Sequence, residues 1–92
     1  MPFVYIMTNP VNTVLYTGVT NHIQRRALEH RQKQGGIFTA TYHCVKLVYY
    51  QEFRSMHEAI AEEKRIKGGS RRKKIVLIES TNPEWLDLAE GW

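Results

Sequence analysis

Two short runs of β-branched and aromatic residues, Phe3 to Met7 and Val14 to Val19, flank the turn-forming stretch Asn9-Pro10-Val11-Asn12-Thr13. This pattern commits the start of the chain to an antiparallel hairpin with a five-residue loop. Side chains alternate between the faces of a strand, so Tyr5 and Tyr16 share a face only in a register that compensates their odd separation. Two phenols on a half-buried sheet serve by default as packing or interface residues.

Asn21 is placed to cap a helix over about residues 22 to 33, with Gln24 as its capping-box partner. At about 100° per residue, Ile23, Arg26, Ala27 and His30 fall on one stripe of that helix. A permanent cation and a titratable imidazole thus lie beside the apolar seam. The plain reading is an arginine whose stem packs while its head reaches water, and a histidine satisfied by backbone. The sharper reading gives Arg26 an anionic ligand.

Ser55-Met56-His57-Glu58 forms a capping box that opens a second helix, and Gly68-Gly69 closes it. Met56, Ala59, Ile60 and Ile66 make its expected core face, with Glu63 near the middle of that face and Glu62 turned toward solvent. A carboxylate on a core stripe needs a cationic partner, here Arg26 or a lysine, or a metal ion.

These residues resemble the GIY-YIG nuclease superfamily. Phe3-Val4-Tyr5 stands where the first name motif stands and Tyr16-Thr17-Gly18 where the second does. Arg26, His30 and Glu63 follow at the spacing of the family's helical arginine, its following His or Tyr, and its metal-binding glutamate. Leu47-Val48-Tyr49-Tyr50, the block Ala59 to Lys67 and the tail Asn82-Pro83-Glu84-Trp85 resemble the small single-domain subgroup related to the N-terminal nuclease domain of the excinuclease C subunit. A lone Tyr-x-Gly is weak evidence, whereas five elements in order are strong. Phe3 and Thr17 depart from the name motifs at permissive positions, and Val19 stands near where some members carry a lysine. Asn82 matches a C-terminal asparagine of some members by order alone.

The resemblance implies a metal-dependent endonuclease that hydrolyses DNA phosphodiesters, in a repair or recombination setting, with Tyr5, Tyr16, Arg26, His30 and Glu63 as catalytic residues. Glu63 would hold one Mg²⁺ or Mn²⁺, and Arg26 would clamp the scissile phosphate. Tyr16 or Tyr5 would position or deprotonate water, with His30, of ordinary pKa near 6.5, as an alternative base.

The charge distribution agrees with a phosphate-rich partner. Net charge is +4, and seven of the thirteen basic residues, Lys64, Arg65, Lys67, Arg71, Arg72, Lys73 and Lys74, lie within eleven positions. Such a cluster attracts nucleic acid, DNA or RNA, without reading its sequence, although a solvated helix face has the same composition.

With 92 residues and no linker, repeat or low-complexity stretch, one domain over residues 1–92 is expected. Gln34-Gly35-Gly36 begins the longest loop, which ends at a third strand, Lys46 to Phe53. Ser70 caps a last segment, Arg71 to about Glu79, read as helix although Ile75 to Ile78 suits a strand as well. The expected fold is α+β: a small three-stranded antiparallel sheet packed with helices, an open layer whose tyrosines and helical residues converge on one concave face. A single cysteine, Cys44, permits no intrachain disulfide, and the histidines form no zinc pattern. No secretory signal or membrane-length apolar run is seen, so a cytoplasmic location is expected.

Two other functions compete with the nuclease. One is a nucleic-acid-binding module of the same fold that turns over poorly alone or needs a protein partner for specificity. The other is an interaction protein whose tyrosines and Glu63 only stabilise the core, a role that does not call for five such polar groups together.

Overall fold

The computed structural model describes all 92 residues. In chain order they form β1 (Phe3–Thr8), β2 (Leu15–Thr20), α1 (Ile23–Arg31), α2 (Ile37–Thr41), β3 (Lys46–Glu52), α3 (Met56–Lys67) and α4 (Arg71–Thr81). The three strands make one antiparallel sheet in the order β2-β1-β3. The α+β class and sheet are as expected from the sequence.

The hairpin loop is one residue longer than expected. Asn9 Oδ1 accepts from the backbone N–H of Thr13 at 2.8 Å and of Val14 at 3.0 Å. Val14's N–H is thereby committed to the turn, and β2 begins at Leu15. The register pairs Tyr5 with Gly18 and Met7 with Tyr16, so Tyr5, Tyr16 and Gly18 share one face of the sheet.

That register divides the core between two faces. Val4 and Ile6 join Ala59 and Ile66 of α3 and Ile78 of α4 on one side; Tyr5 and Met7 join Ile23 and Ala27 of α1 and Ala89 of the C-terminal segment on the other. A register shift in the β1–β3 pairing at Ile6/Met7 lets Val48 and Tyr49 both pack on the α3–α4 side. Both faces are therefore covered, in contrast to the open layer expected.

Several local expectations need correction. His22, not Asn21, is the N-cap of α1, and no side chain caps that end. The chain turns through Thr20, whose Oγ1 accepts from the His22 N–H at 3.1 Å. The stretch read as the longest loop contains α2, a single short turn of helix that its two leading glycines conceal. On α3, Ala59 and Ile66 are buried, but Ile60 points to solvent.

The other caps hold. Ser55 Oγ accepts from Glu58 N and Ser70 Oγ from Lys73 N, both at 3.2 Å, and residues 71–81 are helical. Asn82, 4% exposed, donates through Nδ2 to the carbonyls of Val48 and Leu86 and accepts from Leu86 N–H. Its capacity is spent pinning the C-terminal segment to β3, so it is a structural staple. No helix is long and apolar enough to cross a membrane.

Candidate active site

The hairpin and α1 bring four of the five singled-out residues onto one face. Tyr5 is 2% exposed and His30 is 0% exposed; Tyr5 Oη lies 2.9 Å from His30 Nε2, the one polar contact of either side chain. Tyr16 stands over both, its ring centroid 6.3 Å from that of Tyr5 and 5.6 Å from that of His30. Stripe position explains the histidine: with Ile23 and Ala27 it forms the buried side of α1.

Two glycines make this packing possible. A Cβ on Gly18, directly across from Tyr5, would fall 2.5 Å from Tyr5 Oη and 2.6 Å from its Cζ. The Tyr-x-Gly spacing already implies this, because residues two apart on a strand share a face. A Cβ on Gly35 would strike the His30 ring at Nδ1 and Cε1. Sequence reasoning missed Gly35, since nothing local links it to a residue of α1.

Burial sets the electrostatics of the pair. Loss of water raises the Tyr5 pKa well above the ordinary phenol value, a trend the neighbouring Tyr16 reinforces and Arg26 opposes. Burial, aided by Arg26, lowers the His30 pKa to about 4. At neutral pH the phenol is thus protonated and the imidazole neutral. Enclosure thus moves the imidazole well below its unperturbed value near 6.5. His30 Nδ1 is buried and has no hydrogen-bond partner.

Arg26 lies on the half-exposed flank of α1 and pairs with Glu29 at 3.3 Å, its side chain 37% exposed. The guanidinium therefore reaches solvent beside the Tyr5–His30 pair and perturbs both groups. Such an exposed pair is weak, about 0.5 kcal/mol, and yields readily to a phosphate that accepts both forked donors.

Glu63 comes from α3, which packs on the opposite side of the sheet against β2 and β1. β2 is the edge strand there. Glu63's charge adds to the rise of the Tyr5 pKa, behind burial and Tyr16. Its side chain is 16% exposed and bonded to Lys67 at 3.3 Å, the lysine partner foreseen from the helical wheel rather than Arg26. Glu62 is not free in solvent: it holds Arg65 through two hydrogen bonds, and that bonding lowers its pKa.

No group of three or more His, Cys, Asp or Glu side chains converges as a ready metal cage. One carboxylate with water and phosphate oxygens is nevertheless the donor set that a hydrated hard cation such as Mg²⁺ accepts. Glu63 fits that requirement. Val19, near the position where some related sequences have lysine, packs instead on the α3–α4 side.

The basic cluster spans the end of α3 and the start of α4. A groove of about 580 Å³ runs between these helices, lined by Arg65, Ile66, Gly69, Lys73 and Leu77 among others. Four of the seven cationic heads are engaged within the chain: Arg65 with Glu62, Lys67 with Glu63, Lys74 with the Gly69 carbonyl, and Arg71 with the Asn12 carbonyl. Lys64, Arg72 and Lys73 are left to meet an external anion.

Residues 1–75 match the family model described as the GIY-YIG catalytic domain. The chain is 39% identical over 77 residues to a UPF0213 protein of Staphylococcus haemolyticus, covering 84% of this chain and 93% of that one. It is 35% identical to a UPF0213 protein of Limosilactobacillus reuteri, over 94% of this chain and 91% of the other. The solution NMR structure of the UPF0213 protein BH0048 from Bacillus halodurans superposes with a TM-score of 0.60 at 29% identity, covering 99% of this chain and 97% of that one. These names specify no activity.

Proposed function

Because this chain belongs to the GIY-YIG catalytic-domain family, whose domain implies nuclease-type function, we propose that residues 1–92 act as one metal-dependent endonuclease domain hydrolysing DNA phosphodiesters. The observation that carries this reading is the buried Tyr5–His30 hydrogen bond, with Tyr16 packed over both rings and the solvent-reaching Arg26 one helical turn before His30.

Phosphodiester hydrolysis needs a positioned water, a group to take its proton, and charge against the phosphoryl oxygens. Arg26 exchanges Glu29 for the scissile phosphate, using its forked donors. Tyr16, half-buried over the pair, orients water and phosphate. Tyr5 holds its own proton too tightly to act as a free phenolate. Held by its hydrogen bond to His30 Nε2, its hydroxyl helps Tyr16 position the attacking water.

Glu63 would hold Mg²⁺ or Mn²⁺ together with waters and a phosphate oxygen, and such an ion supplies positive charge against the charge gained by the phosphoryl group. Lys67 must then share or release the carboxylate. Lys64, Arg72 and Lys73, extended by the other basic residues of the cluster, track the nucleic-acid backbone. A repair or recombination role is the setting this chemistry suits.

The test is cleavage of labelled single-stranded, duplex and branched DNA with Mg²⁺, Mn²⁺ or EDTA. Strand scission that requires the metal is expected. Intact binding without scission under any metal would overturn the enzyme in favour of a nucleic-acid-binding module.

A further inference from the structure

An aromatic ladder leads out of the site. From the enclosed Tyr5 and His30 it passes to Tyr16, then to Phe38 with centroids 5.9 Å apart, then to Tyr42 at 4.8 Å. Exposure rises along it, from 2% at Tyr5 to 45% at Phe38 and 49% at Tyr42. Phe38, the second residue of α2, and Tyr42, its C-cap, are four positions apart, and so project from the same side of that turn. Ile37, the first residue of α2, is 88% exposed beside them.

The side chains of Phe38 and Tyr42 belong to neither core cluster, yet their rings hold each other at stacking distance. Large apolar side chains gathered in solvent mark a binding surface. What binds is indicated by what adjoins: Tyr16 belongs to both the ladder and the proposed site, and the cationic Arg26 lies one helical turn before His30, whose ring Tyr16 covers. A ligand that sets a phosphate at Arg26 and offers a flat apolar group to the rings beyond Tyr16 is a nucleotide whose base is not paired. Successive bases stack on exposed aromatic side chains in this manner, whatever their sequence.

We propose that Phe38 and Tyr42 form a stacking platform for an unpaired nucleobase of DNA flanking the scissile phosphate. The platform rests on the proposed nuclease reading, which supplies the phosphate. It adds a selection the cationic cluster cannot make, because a base inside a duplex presents no free ring face. A duplex would have to fray or extrude a nucleotide to use it.

The experiment is fluorescence anisotropy in EDTA with two probes, a labelled fifteen-nucleotide oligothymidine and a fully paired duplex of the same length. Wild type, Phe38→Ala, Tyr42→Ala and Phe38→Leu are compared across a salt series. Loss of either ring is expected to weaken single-strand binding by roughly tenfold. The salt slope stays unchanged, because no phosphate contact is removed. Duplex binding stays within twofold, and Phe38→Leu, which keeps the apolar volume without the ring, behaves like Phe38→Ala.

Equal loss on both probes, unchanged single-strand affinity, or full retention by Phe38→Leu would overturn the platform. So would a change of oligomeric state in sedimentation, which would assign the rings to a second copy of the chain. Wild-type protein that binds neither probe would overturn the nuclease reading together with the platform. Wild-type binding that the ring variants leave intact would overturn the platform alone.

Discussion

Gly18→Ala is expected to damage the site from a position that carries no functional group. The added Cβ would lie 2.5, 2.6 and 3.0 Å from Oη, Cζ and Cε1 of Tyr5, a side chain 2% exposed and held between Tyr16 and His30. The ring must move, at an overpacking cost of about 1–3 kcal/mol. Its hydroxyl then leaves His30 Nε2, which has no other partner, adding about 1 kcal/mol. Against this stands a gain of about 0.5 kcal/mol from restricting the unfolded chain. The net loss of about 1.5–3.5 kcal/mol lowers the thermal midpoint by roughly 6–28 °C in a domain of this size. Thermal unfolding of the single variant and of Gly18→Ala in a Tyr5→Ala background measures it. With the ring gone, the substitution should be neutral or mildly stabilising. An unchanged midpoint in the wild-type background, or the same cost in both backgrounds, would refute the packing argument.

Three further outcomes follow from the same geometry. His30, depressed to about 4, takes up its proton first in the unfolded chain, so stability falls as pH drops from about 6.5 to 4, by about 3 kcal/mol in all. Urea midpoints across that range should show the decline, and His30→Asn should flatten it; an equal slope in the variant would show that other groups cause it. Arg26→Ala should remove cleavage while shifting stability by no more than about 0.5 kcal/mol, since its pair with Glu29 is exposed on both sides. A large drop in thermal midpoint without DNA would count against a catalytic Arg26. Asn82→Ala loses three hydrogen bonds at a buried position and should cost about 2–4 kcal/mol with DNA affinity per folded molecule unchanged, as read by denaturation and anisotropy; a stable variant with impaired binding would return Asn82 to the site.

The parts of this molecule legible in the sequence are those set by short-range periodicity. The β-branched and aromatic run Phe3 to Met7, the Ser55 and Ser70 caps and the stripe Ile23–Ala27–His30 all follow from residues within a few positions of one another. The fold class followed from them. Quantities that depend on enclosure were not legible. His30 reads as an ordinary imidazole until Gly35, Tyr5 and Tyr16 close around it, and its low pKa is a product of that closure. The partner of Glu63 was undecided between Arg26, an unspecified lysine and a metal ion because a helical wheel does not say which helix lies on which face of the sheet; the lysine is Lys67. The helix α2 was hidden by Gly35 and Gly36, although Phe38 and Tyr42 at a spacing of four hinted at it. The basic cluster was visible as a count, but not that four of its seven heads are already occupied.

The central claim is that Glu63 serves metal-dependent chemistry and not folding or DNA affinity. Its most direct test is single-turnover cleavage and metal-free DNA binding measured in parallel for the wild type and Glu63→Ala, on whichever DNA form the wild type cuts. The account predicts that cleavage with Mg²⁺ or Mn²⁺ vanishes in the variant while the dissociation constant stays within a few-fold. Equal loss of binding and cleavage, or cleavage that survives without the carboxylate, would contradict it.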